Sequence, residues 1–159
     1  MLNRGAGHLV ITEEGIRAIN NTLGNLVLDT GAKAALLMEK SGQMISAQGE
    51  TNAFDTMSLS ALITGSFNST KAIATLLGES EFKRMFQQGS SQSIFMFALD
   101  SHDIVAIVFP NTITVGKIKY KVEQILDSLN NQIETLYNSA PSSPLRAGQA
   151  LAPKIDDLF

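Results

Sequence analysis

The sequence predicts an α+β protein in which helices cover both faces of a mostly antiparallel sheet. Segments whose apolar residues recur at helical spacing begin, divide and end the chain. Between them lie short apolar runs in pairs, separated by turn residues, as β-hairpins require. Two of these runs, 93–99 and 104–109, are apolar almost throughout, whereas a sheet with one face in water would alternate. Both faces of the sheet are therefore expected to be covered.

The first helix is predicted over residues 12–30. Thr12 is suited to cap its N-terminus, and Glu13 and Glu14 suit the positive end of the helix dipole. Gly31 stands where a glycine in the left-handed conformation would end the helix. The apolar residues between these ends predict one buried stripe: Ile16, Ile19, Leu23, Leu26 and Val27.

Two strand pairs are predicted, one on each side of a long middle helix. The first pair is 32–39 with 44–49, joined by a tight turn, and the second is 93–99 with 104–109. Their turns are rich in the Ser, Gly, Asp and His residues that reverse a chain.

The middle helix is predicted over 55–77, with Asp55 or Thr56 as its cap and Gly78 at its end. One apolar face is predicted to pack on the sheet: Leu59, Leu62, Ile63, Thr70, Ile73 and Leu77. The opposite face is small or polar: Ala61, Thr64, Gly65, Asn68, Lys71 and Ala72. A glycine inside a helix costs about 1 kcal/mol relative to alanine. Gly65 therefore indicates that another backbone approaches this face closely.

The remaining segments have weaker patterns. Residues 79–89 are predicted to be a short helix or an irregular connection, and 112–116 a last short strand or extended link. A final helix is predicted over 117–138, where apolar residues again recur at helical spacing. The expected organisation is an N-terminal arm at 1–11, one domain at 12–138, and a flexible linker with a short C-terminal docking segment at 139–159.

Composition excludes several functions. The 159 residues, 44% hydrophobic and 17% charged, suit one globular domain. A net charge of −3 offers no basic surface for nucleic acid, and the absence of cysteine excludes a disulfide, a thiolate nucleophile or a cysteine-type zinc site. No segment reaches about 18 consecutive apolar residues, so no membrane insertion and a cytoplasmic location are expected.

Asp29-Thr30-Gly31 matches the catalytic tripeptide of aspartic proteases. Such an enzyme needs the aspartate on a loop leaving a strand, close to a second aspartate with which it shares a proton. The residues before Asp29 have helical spacing instead, and Gly31 has an ordinary role as a helix cap. The tripeptide is interpreted as a helix end, and an aspartic protease is kept as the enzyme alternative.

Two further patterns give little support for chemistry. Residues 65–71 faintly resemble a phosphate-binding loop, but they lie inside a predicted helix and have the wrong order of residues. Asp100, His102 and Asp103 are possible metal ligands in type, but a hairpin turn favours the same residues. No catalytic residue, metal or cofactor is expected, and the surface of the middle helix and the C-terminal tip remain as candidate sites.

Three stretches together resemble the Roadblock/LC7 superfamily over about residues 12–138. They are "AALLMEKSGQMISAQG", "SLSALITGSFNSTKAIATLLGESEF" and "QQGSSQSIFMFALDSHDIVAIVFPNTITVGKIK". The resemblance implies a five-stranded antiparallel sheet between one long middle helix and two terminal helices. It also implies a homodimer in which the middle helices and third strands meet across a two-fold axis.

Within the superfamily, the chain is most similar to bacterial regulators of a Ras-like small GTPase of the MglA type, which act in cell polarity and gliding motility. The resemblance implies that docking reshapes the switch regions of the GTPase and accelerates GTP hydrolysis without an arginine finger, in the cytoplasm and at a cell pole. The alternative is a scaffold that binds a partner without stimulating hydrolysis. The implied GTPase-binding residues are Thr64, Gly65, Phe67, Asn68, Lys71 and Ala72. The implied docking segment, which would modulate nucleotide exchange, contains Ile155, Leu158 and Phe159.

Overall fold

Residues 12–139, the part of the chain that the computed structural model describes, form three α-helices and five strands. Two strands follow the first helix and three follow the second. The helices are α1 (Glu13–Thr30), α2 (Thr56–Leu76) and α3 (Val115–Ser139). The strands are β1 (Ala34–Met38), β2 (Met44–Gly49), β3 (Arg84–Gln88), β4 (Gln92–Ala98) and β5 (Ile104–Pro110). A short 3-10 turn, Thr51–Ala53, leads into α2. The predicted arm at 1–11 and residues 140–159 of the predicted tail lie outside the described residues.

The five strands form one antiparallel sheet in the order β2-β1-β5-β4-β3. Helices α1 and α3 pack on one face and α2 on the other, which confirms the predicted α+β sandwich. Strands β1 and β5 lie side by side in the interior and are buried on both faces, apart from the half-buried last residue of β5. This burial explains why neither strand alternates between apolar and polar residues.

Two hydrophobic cores fill the spaces between the layers. Under α1 and α3, the rings of Phe95, Phe97 and Phe109 pack with the apolar stripes of both helices. Under α2, a smaller core contains Leu36, Met38, Ile63, Phe67, Met96, Ile104 and Ala106. Because successive residues of a strand point to opposite faces, each interior strand contributes to both cores.

The ends of α1 form as predicted. The Thr12 hydroxyl oxygen accepts the backbone N–H of Gly15 at 3.1 Å, and Gly31 adopts the left-handed conformation with φ +77°. The Thr30 hydroxyl donates to the carbonyl of Leu26 at 2.7 Å. Asp29 is therefore an exposed residue in the last turn of a helix, not a residue of a loop leaving a strand. The local geometry that an aspartic protease requires is absent here.

The fifth strand does not come from the predicted place. Residues 84–88, predicted to lie in a short helix or irregular connection, form β3 at the edge of the sheet. Residues 112–116, predicted as a strand or extended link, form a turn and the start of α3, where the Thr114 hydroxyl oxygen accepts the backbone N–H of Lys117. Strand β3 is mostly exposed and polar, so its composition gave no apolar run to detect.

The buried face of α2 also differs from the prediction. Leu62, Ile73 and Leu77 were expected in the core but are 71%, 53% and 69% exposed. The residues that α2 does bury are Ser60, Ile63, Thr64, Phe67 and Ala74. The two hydroxyls are tolerated because each donates to a carbonyl, Thr64 to Ser60 at 2.8 Å and Ser60 to Gly42 at 2.6 Å. The predicted stripe is therefore right for Ile63 and for the half-buried Leu59 and Thr70, and wrong for Leu62, Ile73 and Leu77.

A buried carboxylate ties α3 to the β4–β5 turn. Asp103 is 3% exposed and accepts hydrogen bonds from the hydroxyl of Tyr137 at 2.7 Å and from that of Ser101 at 2.8 Å. Burial raises the pKa of Asp103 above its ordinary value, and these two hydrogen bonds oppose the rise. The folded chain therefore holds the Asp103 proton more tightly than the unfolded chain.

Asp103→Asn is expected to change how stability depends on pH. The contribution of Asp103 protonation to stability is complete below about pH 3.8, the ordinary value, and is lost as pH rises through the raised folded pKa. Across that window the free energy of unfolding of the wild type, relative to Asp103→Asn, should fall with rising pH. Urea unfolding at a series of pH values measures this difference. A difference that is flat or rises with pH contradicts the assignment.

Candidate functional site

The side of α2 that faces away from the sheet is the main uncovered surface of the described chain. Asp55 fixes the start of the helix, since its carboxylate accepts the backbone N–H of Ser58 at 3.1 Å. Seven exposed residues at helical spacing, here named the outer face of α2, lie along its length: Ala61, Leu62, Gly65, Ser69, Ala72, Ile73 and Leu76. Six of these side chains are apolar or absent, so the face lacks the charges of an ordinary solvated helix surface.

Large apolar side chains stand exposed on this face. Leu62 and Ile73 are more than half exposed, and Leu76 is 86% exposed. Met57 and Leu77, near the two ends of the helix, are also exposed. A contiguous exposed apolar patch of this kind marks an interaction surface in a protein that folds in water.

Gly65 has no packing role within residues 12–139. A Cβ atom built on Gly65 would meet nothing within 4 Å, and the residue does not adopt a positive φ. Its cost to the helix, about 1 kcal/mol relative to alanine, is therefore not offset by any contact that the described chain makes. A glycine at this exposed position would let the backbone of another molecule approach the helix closely.

Gly65→Ala is expected to stabilise the isolated folded chain by about 0.5–1 kcal/mol and to weaken the binding of whatever covers α2. Gly24→Ala is the matched control, because Gly24 also lies inside a helix and an added Cβ there makes only ordinary contact with Gln48. Urea unfolding and partner titration measure the two effects. If Gly65→Ala stabilises the chain and leaves partner binding as in Gly24→Ala, no partner backbone approaches this glycine.

The structure divides the six predicted GTPase-binding residues into three groups. Thr64 and Phe67 are buried, and only 5% and 7% of their surfaces are exposed. Gly65 and Ala72 lie on the outer face of α2. Asn68 and Lys71 are exposed along the neighbouring side of the helix, where they line a cavity. The predicted docking residues Ile155, Leu158 and Phe159 lie outside the described part of the chain.

The cavity next to α2, here named the α2 cavity, has a volume of about 410 Å³. Its lining comes from α2, the β1–β2 turn, the segment before β3 and the β4–β5 region: Lys40, Phe67, Asn68, Lys71, Glu81, Ala98, His102 and Ile104. At one side, the imidazole Nδ1 of His102 lies 3.9 Å from a carboxylate oxygen of Glu81. Sequence reasoning missed Lys40 and the cavity role of His102, because residues from four separate segments meet there and share no motif.

The β4–β5 turn does not gather its acidic and imidazole groups into one site. Asp103 is buried against α3, whereas His102, with φ +72°, is exposed beside the α2 cavity. In residues 12–139, no three His, Cys, Asp or Glu side chains are placed together as metal ligands. The three described helices are each too short or too polar to cross a membrane. The described surface offers contact area on α2 and, beside it, a cavity lined by charged side chains.

A helix-covered sheet with one bare apolar helix face defines an interaction module. The family model for the Roadblock/LC7 domain matches residues 18–109. The chain belongs to the Roadblock/LC7 family. This agrees with the resemblance seen in the sequence and accounts for the five-stranded sheet.

Solved structures place the chain near MglB within this family. Myxococcus xanthus MglB is 33% identical, with a TM-score of 0.75 over 80% of this chain and 96% of that one. The gliding protein MglB of Thermus thermophilus is 26% identical, with a TM-score of 0.73 over 79% and 96%. A Roadblock/LC7 domain from Streptomyces avermitilis shares the fold at 15% identity, with a TM-score of 0.65 over 73% and 98%. Comparison with curated protein sequences gives no match.

Proposed function

We propose that this protein is a homodimeric GTPase-activating regulator of a small Ras-like GTPase of the MglA type, acting in bacterial cell polarity and motility. The observation that carries the proposal is the exposed apolar and small-residue outer face of α2, on a chain 33% identical to Myxococcus xanthus MglB. Such a face needs a partner, because exposed apolar surface of this extent is unfavourable in water. The similarity to MglB supports a small GTPase of a motility system as that partner.

The proposed homodimer uses one end of α2 and the free edge of the sheet. Within residues 12–139, strand β3 pairs with β4 alone, so its other edge offers backbone groups to a second strand. Phe86, on that strand, is 40% exposed, and Leu76 and Leu77 at the end of α2 are exposed as well. Two copies meeting there would cover apolar side chains and satisfy the open strand edge.

The proposed GTPase surface uses the middle of α2. Gly65 and Ala72 allow close approach, while Asn68 and Lys71 supply polar contacts at the side of the helix. The six residues predicted from the sequence therefore contribute unequally, with Phe67 and Thr64 supporting the surface from below.

The described arginines support activation without an arginine finger. Arg84 pairs with Glu123 of α3, and Arg17 lies on α1, across the sheet from α2. Neither is placed to reach the active site of a GTPase seated on the outer face of α2. Stimulation is therefore proposed to come from reshaping the switch regions of the GTPase, and the C-terminal segment is proposed to modulate nucleotide exchange.

Phosphate release by the cognate Ras-like GTPase tests the proposal. The rate is measured with the GTPase alone, with the full chain, and with the chain cut after Ser139, and binding is measured in parallel. Acceleration by both forms is expected, because the proposed surface lies on α2. Binding without acceleration would support the alternative, a scaffold that only tethers its partner.

A further inference from the structure

The α2 cavity combines an apolar floor with positive charge at its rim. Phe67, Ala98 and Ile104 supply apolar surface. The two lysines, Lys40 and Lys71, outnumber the one carboxylate in the lining, that of Glu81, which lies beside His102. Neither ammonium group lies within ion-pair distance of a carboxylate in residues 12–139, and Lys40 acts only at longer range on the buried Asp103. An occupant that presents apolar side chains next to carboxylates would therefore complement this cavity.

The chain itself carries a segment of that chemistry. Residues 155–159, Ile-Asp-Asp-Leu-Phe, place two adjacent carboxylates between large apolar side chains. Their charge of −2 is opposite in sign to the net positive charge that the two lysines leave over Glu81 in the cavity lining. Apolar side chains on both sides of the aspartates fit a cavity whose floor is apolar and whose rim is charged.

The course of the chain brings this segment within reach. Helix α3 ends at the β4–β5 turn, where the Tyr137 hydroxyl donates to Asp103 and the Asn130 side chain accepts the N–H of Asp100. His102, in the same turn, lines the α2 cavity. Sixteen residues lie between Asn138 and Ile155. They span about 55 Å when extended and about 20 Å as a flexible coil. The segment has to pass around the end of the sheet, and packed layers lie about 10 Å apart, so this length is enough.

We propose that residues 155–159 dock in the α2 cavity of the same chain and keep the Asn68 and Lys71 side of α2 from the GTPase. The proposal has two halves. The docking half, that the segment occupies the cavity, is supported by charge complementarity and by the length of the chain before the segment. The regulatory half rests on the proposed function, because it takes Asn68 and Lys71 as GTPase contacts. The GTPase then has to displace the segment before it can bind. The full chain therefore stimulates hydrolysis less than a chain in which this side of α2 is uncovered.

Cysteine pairs in the full chain test the docking half, because the native chain contains no cysteine. The test pair is Asn68→Cys with Leu158→Cys. The control pair is Thr135→Cys with Leu158→Cys, since Thr135 is exposed near the end of α3 and lines a second cavity of about 380 Å³ that contains no lysine. Disulfide formation within one chain is followed by mass and by electrophoretic mobility during mild oxidation.

The test pair is expected to close at least about tenfold faster than the control pair, because docking raises the effective concentration of the segment at the cavity. Adding Asp156→Lys and Asp157→Lys should remove that preference. Equal rates for the two pairs would overturn the docking, and so would a preference that survives the charge reversal. A test-pair disulfide that joins two different chains would overturn docking within the same chain.

Phosphate release separates the regulatory half from the proposed function. In a single round of hydrolysis by GTP-loaded GTPase, which excludes any effect of the segment on nucleotide exchange, Asp156→Lys with Asp157→Lys in the otherwise native chain should stimulate hydrolysis more than the wild type. Equal stimulation, with the cysteine result intact, would overturn the regulation and leave the docking. No stimulation by either chain would instead contradict the proposed function, and the cysteine result would still decide the docking.

Discussion

Ala72→Arg is expected to reduce stimulation of the GTPase to the unstimulated rate while the domain stays folded. Ala72 is exposed on the outer face of α2, about two helical turns from Gly65. A partner is proposed to approach closely at Gly65. A long cationic side chain would hold that partner away. Arginine is almost as favourable as alanine in a helix, and the site is in solvent, so the stability of the chain should change little.

Phosphate release and thermal unfolding measure the two effects of Ala72→Arg together. Gln124→Arg is the control, because Gln124 is exposed on α3, on the opposite side of the sheet. A folded Ala72→Arg chain that stimulates the GTPase as well as Gln124→Arg would refute the assignment of this surface. Light scattering of the variant shows whether the loss comes from the GTPase contact or from dissociation of the dimer.

Leu76→Glu combined with Leu77→Glu is expected to convert the dimer into monomers. Both side chains are largely exposed in the single chain and would be covered in the proposed dimer. Burying two carboxylates without partners is strongly unfavourable. The dissociation constant should therefore rise at least about 100-fold, which corresponds to about 2.7 kcal/mol.

Sedimentation or light scattering over a concentration series measures this constant. Leu28→Glu is the matched control, since Leu28 is an equally large apolar residue, 80% exposed, on α1. The control should leave assembly unchanged. If the α2 double variant assembles like the control, the dimer forms through another surface. If the double variant also fails to fold, Leu76→Gln gives a milder test of the same contact.

Local signals with a single physical cause could be predicted from the sequence. The Thr12 cap, the left-handed Gly31 and the Asp55 cap follow from side-chain chemistry within three residues, and each occurs where predicted. The interior strands were recognisable because burial on both faces requires continuous apolar runs. Family resemblance supplied the five-strand count, which the sequence pattern alone left between four and five.

The misplaced features depend on contacts between distant segments. Strand β3 is a strand because β4 pairs with it, and its own exposed residues do not indicate that. The buried face of α2 was misassigned because hydroxyls such as Thr64 were counted as polar, although hydrogen bonding allows them to be buried. The α2 cavity depends on four segments meeting, which no local pattern encodes.

The position of β1 between β2 and β5 determines when this protein can complete its fold. Strand β1 pairs with a neighbour close in sequence, and also with β5, from Ala34 opposite Val108 to Met38 opposite Ile104. Closing so long a loop has an entropic cost that local hairpins avoid. During synthesis the first half of the chain must therefore wait, with apolar strand surface unpaired, until residues 104–110 are made. The folding rate and the risk of aggregation before folding therefore depend on β5, near the end of the sheet-forming sequence. They do not depend on the β1–β2 hairpin, which forms first.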